Sequence, residues 1–468
     1  MRDGKYLREI QKIVETGLCH RCGSCSGICP EGVITPGENY YPAWTHNADR
    51  CIECGMCTAV CPGYEFSFPE YRQNLFGIQR EPPPGGPFLK IFLGYATSQE
   101  IRNQSTSGGI ATQIPLFLLK TRKIKGAIVV KTDPSNPWKP SATVARTENE
   151  IKEAMGSKYP ACSLNHLFRE LRGDRGPFVV VGLPCHIHGL HKMITLMPSL
   201  EDKIALMIGL FCHSCLEHDA ILDMINYYHI DTSSIKLTYY RRNKLFGSPI
   251  VVLKNGNVAG MPFPWLNIES AWRPSAAEFL DLFFRLYSPL RCRMCIDGLA
   301  EFADISIGDP WIQNWVSIHP ELNRGYNCVI ARTVKGLKVL DEAEEAGEIV
   351  LNEYTPADSS KSPACPQMVP KKIARGMYYI ERRMKKGLPY PGYSFHILMD
   401  KWQKFKTALH VATYFAADRP HLRKLIARFL LSPAGILVFR FIFLRRRLKI
   451  YFWQKRHNTV SSIEGSNK

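Results

Sequence analysis

The chain has 468 residues, of which 45% are hydrophobic and 16 are cysteines, and its formal net charge is +18. This length predicts two or three folding units. No uncharged apolar run is long enough to span a membrane, and the polar N-terminus lacks a secretory pattern. We therefore expect a cytoplasmic protein with reduced cysteines, not a secreted disulfide scaffold.

The positive charge is concentrated near the C-terminus. Residues 401–468 hold 15 lysines and arginines against 2 acidic residues, whereas the first 400 residues hold 45 against 40. The nearly balanced charge of the first 400 residues argues against a nucleic-acid-binding core, so we expect no nucleic acid partner.

The N-terminal region carries two similar cysteine runs, "CHRCGSCSGICP" at 19–30 and "CIECGMCTAVCP" at 51–62. Both have the pattern of two-cluster ferredoxins, in which the fourth cysteine of each run ligates the other cluster. This crossover predicts two 4Fe–4S clusters. The first set would be Cys19, Cys22, Cys25 and Cys61, and the second would be Cys51, Cys54, Cys57 and Cys29. Two zinc sites are the alternative, but zinc usually takes two spaced pairs of ligands.

The chain divides at "REPPPGGPF", a stretch that can continue neither a helix nor a central strand. Residues 1–80 are predicted to form a ferredoxin-like α+β two-cluster module, and residues 81–87 a linker. Residues 88–395 alternate short aliphatic runs with helical segments, which predicts an α/β domain. Residues 396–468 form a basic extension that we expect to be helical.

Three loops of the α/β region are candidates for binding a phosphate or a ring cofactor. "STSGG" precedes an apolar helical run, where backbone N–H groups are free and a phosphate can approach, although an ordinary helix N-cap has the same pattern. "MGSKY" sets a lysine beside Gly-Ser, and "ADISIGD" ends a strand in a tight turn. Each of these two signals is generic when taken alone.

Two cysteines directly follow strand-like runs, Cys185 in "FVVVGLPC" and Cys212 in "ALMIGLFC". If these strands are parallel neighbours, both thiols emerge at the carboxyl edge of the sheet, where α/β folds build sites. With the C-x2-C pair Cys292 and Cys295 they make four ligands, enough for a third 4Fe–4S cluster. Cys215 is a rival ligand. The cysteines expected to be structural are Cys162, Cys328 and Cys365.

The segments "SGG", "GSKY", "GLPCHIHGL", "GLFCH" and "RCRMCIDGLAEFADISIGD" occur here in an order that resembles the beta subunits of coenzyme F420 hydrogenases and dehydrogenases. The same family includes hydroxymethyl-chlorophyll reductases, and the resemblance covers about residues 1–340. It implies an α/β flavoprotein domain that binds FAD beside an inner 4Fe–4S cluster. By motif, the flavin site would be lined by Ser107, Gly108, Gly109, Gly156, Ser157, Lys158, Gly308 and Asp309, and the inner cluster held by Cys185, Cys212, Cys292 and Cys295.

The resemblance favours an oxidoreductase that transfers electrons between reduced coenzyme F420, or another hydride carrier, and ferredoxin or a partner redox subunit. A hydride carries two electrons and each cluster accepts one, so a flavin belongs between them. No catalytic side chain is assigned. His186, His188 and His213 are candidates either for proton transfer or for hydrogen bonding near the ligands. The alternative functions are a ferredoxin-dependent reductase of an organic substrate and a non-catalytic electron-transfer subunit.

The segment 429–455 of the basic extension mixes apolar aromatic residues with clustered arginines. It is compatible with an interfacial helix on an anionic membrane, with a docking surface for a partner subunit, or with a packed helix pair. Arg440 interrupts the apolar run and argues against full insertion into a membrane.

Overall fold

The computed structural model describes residues 5–79, 81–174, 176–241, 249–261, 286–310, 325–355, 364–365, 368–390, 401, 404–405, 407–408, 419–435 and 437. The described part of the N-terminal module contains four helices and a two-stranded antiparallel ribbon. Its elements are α1 (Lys5–Glu15), α2 (Ser24–Ile28), β1 (Ile34–Pro36), β2 (Pro42–Trp44), α3 (Met56–Ala59) and α4 (Phe68–Phe76).

The two cysteine runs fold in the same way. A glycine inside each run adopts a left-handed conformation immediately before a short helix, with φ of 86° at Gly23 and 72° at Gly55. Glycine adopts this conformation without the steric penalty that a Cβ atom brings. The repeated sequence thus becomes a repeated structure, and the predicted ferredoxin-like module is confirmed.

The rest of the described chain is an α/β domain. Its strands are β3 (Lys90–Ala96), β4 (Gly126–Thr132), β5 (Pro140–Ala145), β6 (Phe178–Gly182), β7 (Ile204–Leu210), β8 (Ile235–Tyr239), β9 (Ile250–Leu253), β10 (Val258–Gly260), β11 (Ile305–Gly308), β12 (Asn327–Ala331) and β13 (Ile349–Glu353). Its helices are α5 (Gln99–Gln104), α6 (Ile110–Lys120), α7 (Glu148–Glu153), α8 (Pro184–Leu196), α9 (Asp219–Tyr227), α10 (Leu290–Met294), α11 (Val334–Glu345), α12 (Val369–Lys385) and α13 (Pro420–Leu431).

Eight of these strands form one mixed sheet in the order β13-β3-β12-β11-β7-β6-β4-β5. Strands β4, β6, β7 and β11 run parallel to their neighbours, so their carboxyl ends share one edge. The flanking pairs β4–β5, β11–β12, β12–β3 and β3–β13 are antiparallel. A second sheet of three antiparallel strands, β8 to β10, lies apart from the large one.

The large sheet is buried on both faces, which explains why its central strands have aliphatic runs without alternation. In β6, Phe178 and Val180 point into one apolar core, while Val179 points into the other core with Ile114 of α6. The first core also contains Ile28 and Phe66 of the ferredoxin-like module. The module is therefore part of the hydrophobic core of the protein.

Polar contacts hold the module in the same place. The guanidinium of Arg72 binds the carboxylate of Glu301 through Nε–Oε1 at 2.5 Å and Nη2–Oε2 at 3.0 Å, with both side chains buried. Arg21 binds Glu217 at 2.6 Å. The predicted linker is itself packed, because Pro87 O accepts a hydrogen bond of 2.7 Å from the buried Arg332. The distance between the module and the sheet is therefore fixed.

Only parts of the predicted C-terminal extension are described, including the helix α13. Most of the segment 429–455, with Arg440, lies outside the described residues, and its role stays a prediction. Among the helices that the structure describes, none is both long and apolar enough to cross a membrane.

Candidate functional site

The eight N-terminal cysteines fall into two groups. Burial raises the pKa of Cys19 to about 12 and that of Cys22 to about 11, and the neighbouring Cys61 thiol adds to both effects. Cys61 is thus close to the first run although it belongs to the second. Cys25 is influenced by the same three thiols.

In the second group, Cys29 of the first run lies with the cysteines of the second run. Burial raises the pKa of Cys57 to about 12, and the thiols of Cys29, Cys54 and Cys51 contribute to this increase. The four thiols of this group line one small cavity between α1 and α3, formed by Cys29, Cys51, Cys54 and Cys57 with their neighbours. Both groups therefore have the membership that the crossover pattern predicts, although ligation itself stays a prediction.

The scattered cysteines meet at the edge of the large sheet. Strands β6 and β7 pair in parallel, with Val181 opposite Ile208. The two strands are therefore parallel neighbours, which is the condition under which both cysteines were expected at one edge. Cys185 follows β6 as the second residue of α8, a helix that begins at Pro184 because proline suits the first helical position. Cys212 follows β7 two residues after its end.

Helix α10 and the residue that follows it bring Cys292 and Cys295 close to Cys185 and Cys212. Burial raises the pKa of Cys185 well above its ordinary value, and the thiols of Cys22, Cys212, Cys292 and Cys295 raise it further. The four predicted inner ligands are thus neighbours. Since Cys22 is also a neighbour of Cys185, the first N-terminal group adjoins the inner group.

Cys215 is a fifth thiol of the inner group. It hydrogen-bonds to Cys212 and Cys292, and this contact lowers the pKa of Cys292 below its ordinary value. The structure therefore keeps Cys215 as a rival ligand. Among the described residues, no three His, Cys, Asp or Glu side chains are arranged to hold a single metal ion.

A cavity of about 420 Å³ lies beside the inner cysteines at the carboxyl edge of the sheet. Cys212 and Cys215 are among the residues that line it. Seven of the eight predicted flavin-site residues line it, and these are Ser107, Gly109, Gly156, Ser157, Lys158, Gly308 and Asp309. The exception is Gly108, which packs behind the cavity wall.

The "SGG" loop owes its shape to its two glycines. A Cβ atom on Gly108 would lie 2.7 Å from Asn327 N and from Gly94 O, so only glycine fits between these strands. Gly109 has φ of 86° and is the N-cap of α6, whose first N–H, on Ile110, donates to Asn327 Oδ1 at 3.1 Å. Asn327 was not anticipated, since an Asn at the start of a strand carries no signal by itself.

The other loops are joined across the cavity. Thr106 Oγ1 and Ser157 Oγ form a hydrogen bond of 3.0 Å, and Ser107 Oγ donates to Tyr326 O. The Nζ of Lys158 donates to the carbonyl oxygens of its own loop, the nearest being Ala154 O at 2.6 Å. Burial lowers the pKa of Lys158 to about 7.

Asp309 is paired with a residue that the sequence did not reveal. Its carboxylate accepts two hydrogen bonds from Arg241, at 2.7 and 3.1 Å, and Arg241 also donates to Thr106 O at 3.2 Å. Arg241 follows β8, far from any recognised motif. It supplies a cation at the cavity wall, next to the loop that begins α6.

These residues would suit a ligand that carries a phosphate and a flat ring, as a flavin does. The Oγ of Ser105 lines the cavity, is buried and has no partner among the described residues, so it is available to a ligand. A loop with a left-handed glycine at a helix start and a nearby arginine is suited to a phosphate. The apolar wall contributed by Val129, Val181 and Ile307 is suited to a flat aromatic ring.

The three candidate histidines have different environments. The ring of His186 uses both nitrogens within the fold, with Cys162 O at 2.9 Å and Leu183 N at 3.1 Å, and burial lowers its pKa to about 4. His188 binds Asp297 at 2.9 Å and lies deep in the core. His213 lines the cavity and contacts Arg375 at 3.0 Å. His186 also lines the cavity, and a role of any of the three in proton transfer stays a prediction.

Three family models match the chain. The C-terminal and N-terminal models of "Coenzyme F420 hydrogenase/dehydrogenase, beta subunit" match residues 177–357 and 91–169, and the "4Fe-4S dicluster domain" matches residues 18–63. The matches contain both N-terminal cysteine runs, the inner cysteines and the cavity loops.

Individual relatives are more distant. The chain is 26% identical to the coenzyme F420-dependent sulfite reductase of Methanocaldococcus jannaschii over 74% of its own length, and it spans about half (49%) of that relative. It is 24% identical to the beta subunit of the coenzyme F420 hydrogenase of Methanothermobacter thermautotrophicus, over 56% of this chain and 83% of that one.

A solved structure has the same fold. A chain of the F420-reducing [NiFe] hydrogenase complex from Methanosarcina barkeri superposes with a TM-score of 0.50 at 23% identity, over 66% of this chain and 97% of that chain. The two beta-subunit models together cover more than half of the sequence. The chain therefore belongs to the family of coenzyme F420 hydrogenase/dehydrogenase beta subunits, with a 4Fe–4S dicluster domain at its N-terminal end.

Proposed function

We propose that the chain is an iron–sulfur flavoprotein that transfers electrons between reduced coenzyme F420 and a ferredoxin-type carrier or partner redox subunit. The observation that supports this most is the contact between the cavity and the inner cysteines. The same cavity is lined by the loop with the phosphate-binding features and by Cys212 and Cys215.

The proposed cofactor of the cavity is FAD. Ser107 and Gly109 would hold its phosphates at the start of α6, supported by Arg241, and Gly108 behind the cavity wall would set the shape of their loop. Gly156, Ser157, Lys158, Gly308 and Asp309 would line the remainder of the site. A bound flavin accepts a hydride and can release the two electrons singly. Arg241 and Asp309 fix each other, so the loops meet the cofactor already ordered.

The proposed clusters are three 4Fe–4S centres. The first N-terminal set is Cys19, Cys22, Cys25 and Cys61, the second is Cys51, Cys54, Cys57 and Cys29, and the inner set is Cys185, Cys212, Cys292 and Cys295. Within the inner set, Cys215 would hydrogen-bond to ligand sulfurs, which adjusts their basicity.

The order of the centres follows from the neighbours of each set. Cys185 of the inner set lies near Cys22 of the first set, and Cys25 of the first set lies near Cys57 of the second. Cys54 of the second set is exposed. Electrons would therefore pass from the cavity through the inner, first and second centres to the surface at Cys54, or in the reverse direction.

The reaction balances without a further reactant. Reduced F420 gives up one hydride and one proton, that is, two electrons and two protons. The two electrons reduce two one-electron acceptors, and both protons are released to water. His213, at the cavity wall, would carry protons out of the site.

The test is an anaerobic assay with reduced F420 and a one-electron dye. We expect two dye molecules to be reduced for each F420 oxidised, and we expect extracted cofactor to contain FAD. An Asp309→Ala variant should lose flavin because Arg241 loses its partner, whereas Asp341→Ala, an exposed change on α11, should keep it.

Different failures of this assay point to different functions. A protein that holds flavin and clusters but does not react with reduced F420 has another substrate, and reduced ferredoxin with organic candidates would then be tested. A protein with clusters but without flavin is a non-catalytic electron-transfer subunit.

A further inference from the structure

Helix α12 begins after the end of the matched family region, at residue 369, and its first turn closes one wall of the cavity through Val369 and Lys372. Lys372 is only 5% exposed. Its Nζ donates a hydrogen bond of 2.7 Å to Cys212 O, the backbone oxygen of an inner cysteine. The ammonium group therefore lies next to an inner cysteine, on a residue that lines the cavity.

The charge of Lys372 is directed at the inner cysteines. The groups that attract its ammonium most are Cys295, Cys212 and Cys292, followed by Asp297. Arg21 is also buried near these cysteines, but the carboxylate of Glu217 binds it at 2.6 Å and offsets its charge. In the described part of the chain, the hydrogen bond to Cys212 O is the one that Nζ makes.

A buried cation beside a cluster stabilises the reduced state of the cluster more than the oxidised state. Reduction adds one electron to the cluster, and no bond forms or breaks. The added negative charge is attracted by a nearby positive charge, so the reduced state is stabilised relative to the oxidised one. Burial of the lysine limits screening by water and salt.

We propose that Lys372 is a positioning residue of α12 whose charge raises the reduction potential of the inner cluster, so that this cluster can take electrons from the neighbouring flavin. The inference rests on the inner cluster of the proposed function. It adds to that function a residue from outside the segment that the family models match.

The test is a potentiometric titration of the full-length chain, followed by electron paramagnetic resonance. The inner-cluster signal is identified as the one that is absent in Cys185→Ala. Lys372→Met removes the charge and keeps a side chain of similar length. In this variant we expect the equilibrium constant for reduction of the inner cluster to fall by about tenfold, which lowers its potential by 59 mV for one electron. Lys372→Arg retains a charge and should restore most of the potential.

The control is Lys385→Met, at the exposed end of the same helix, which should leave the potential unchanged. An unchanged potential in Lys372→Met would overturn the inference. Loss of about four irons in Lys372→Met but not in Lys372→Arg would also overturn it, because the charge would then serve cluster assembly. If the unaltered chain itself lacks the inner signal, the proposed third cluster is wrong, which is a separate failure.

Discussion

Replacement of Cys185 by alanine tests the assembly of the inner cluster directly. The proposed ligand sets are three groups of four cysteines, and a cubane holds four irons, so the intact chain should contain about twelve irons. Cys185→Ala removes one ligand of one group. We expect about eight irons per chain, a loss of one third, with both N-terminal clusters intact.

The same variant should separate the two halves of the reaction. Cys185 is not part of the cavity wall, so the flavin content should be retained. Reduced F420 should still bleach the flavin, but electrons should reach a dye much more slowly because the centre between the cavity and the first N-terminal group is missing. Iron analysis, flavin extraction and stopped-flow absorbance measure these three quantities.

Cys328→Ala is the matched control, because Cys328 is buried in β12 and is not one of the grouped cysteines. It should retain about twelve irons. Twelve irons in Cys185→Ala would refute the proposed ligand set. If iron were then lost in the double variant Cys185→Ala/Cys215→Ala, Cys215 would be the ligand that replaces Cys185.

Three further predictions concern stability and the cavity loops. Glu301→Ala leaves the buried charge of Arg72 without its partner, so the free energy of unfolding should fall by about 3–5 kcal/mol in denaturant titrations. Gly108→Ala places a Cβ atom 2.7 Å from Asn327 N, so stability should fall by about 1–3 kcal/mol and flavin content should decrease. Burial lowers the pKa of Lys158 from 10.5 to about 7, so the unfolded chain binds more protons between these values and stability should rise with pH there. Lys158→Met should flatten this part of the profile.

Each of these predictions has a control. Replacing both partners of the buried ion pair, as in Arg72→Met/Glu301→Met, should recover much of the lost stability. Gly173→Ala meets no atom within 4 Å and should be nearly neutral. Lys120→Met removes an exposed lysine and should leave the pH profile unchanged. Equal effects of Gly108→Ala and Gly173→Ala would contradict the steric argument.

The sequence was most informative where a local pattern carries its own chemistry. The two cysteine runs predict the crossed groups that the structure brings together, because their spacing and closing proline are specific to one kind of ligand loop. The strand-end cysteines were also recognisable, since a parallel pair of strands brings Cys185 and Cys212 to one edge.

Isolated side chains were not recognisable in this way. Arg241 and Asn327 contact the cavity loops through residues that are distant in sequence, because the Arg241–Asp309 contact spans 68 residues and the Asn327–Ile110 contact spans 217. Lys372 lies in "PKKIARG", an ordinary basic start of a helix. Their importance depends on which residues lie opposite them.

The sequence by itself determined the kind of chemistry, because thiolate spacing and small-residue loops restrict what can be bound. Only the tertiary structure decided how the parts are joined. The module shares the core of the sheet domain through residues such as Ile28 and Phe66, which fixes the first cysteine group beside the inner one. Apolar packing is not directional, so no local pattern reports which surfaces will be buried against each other.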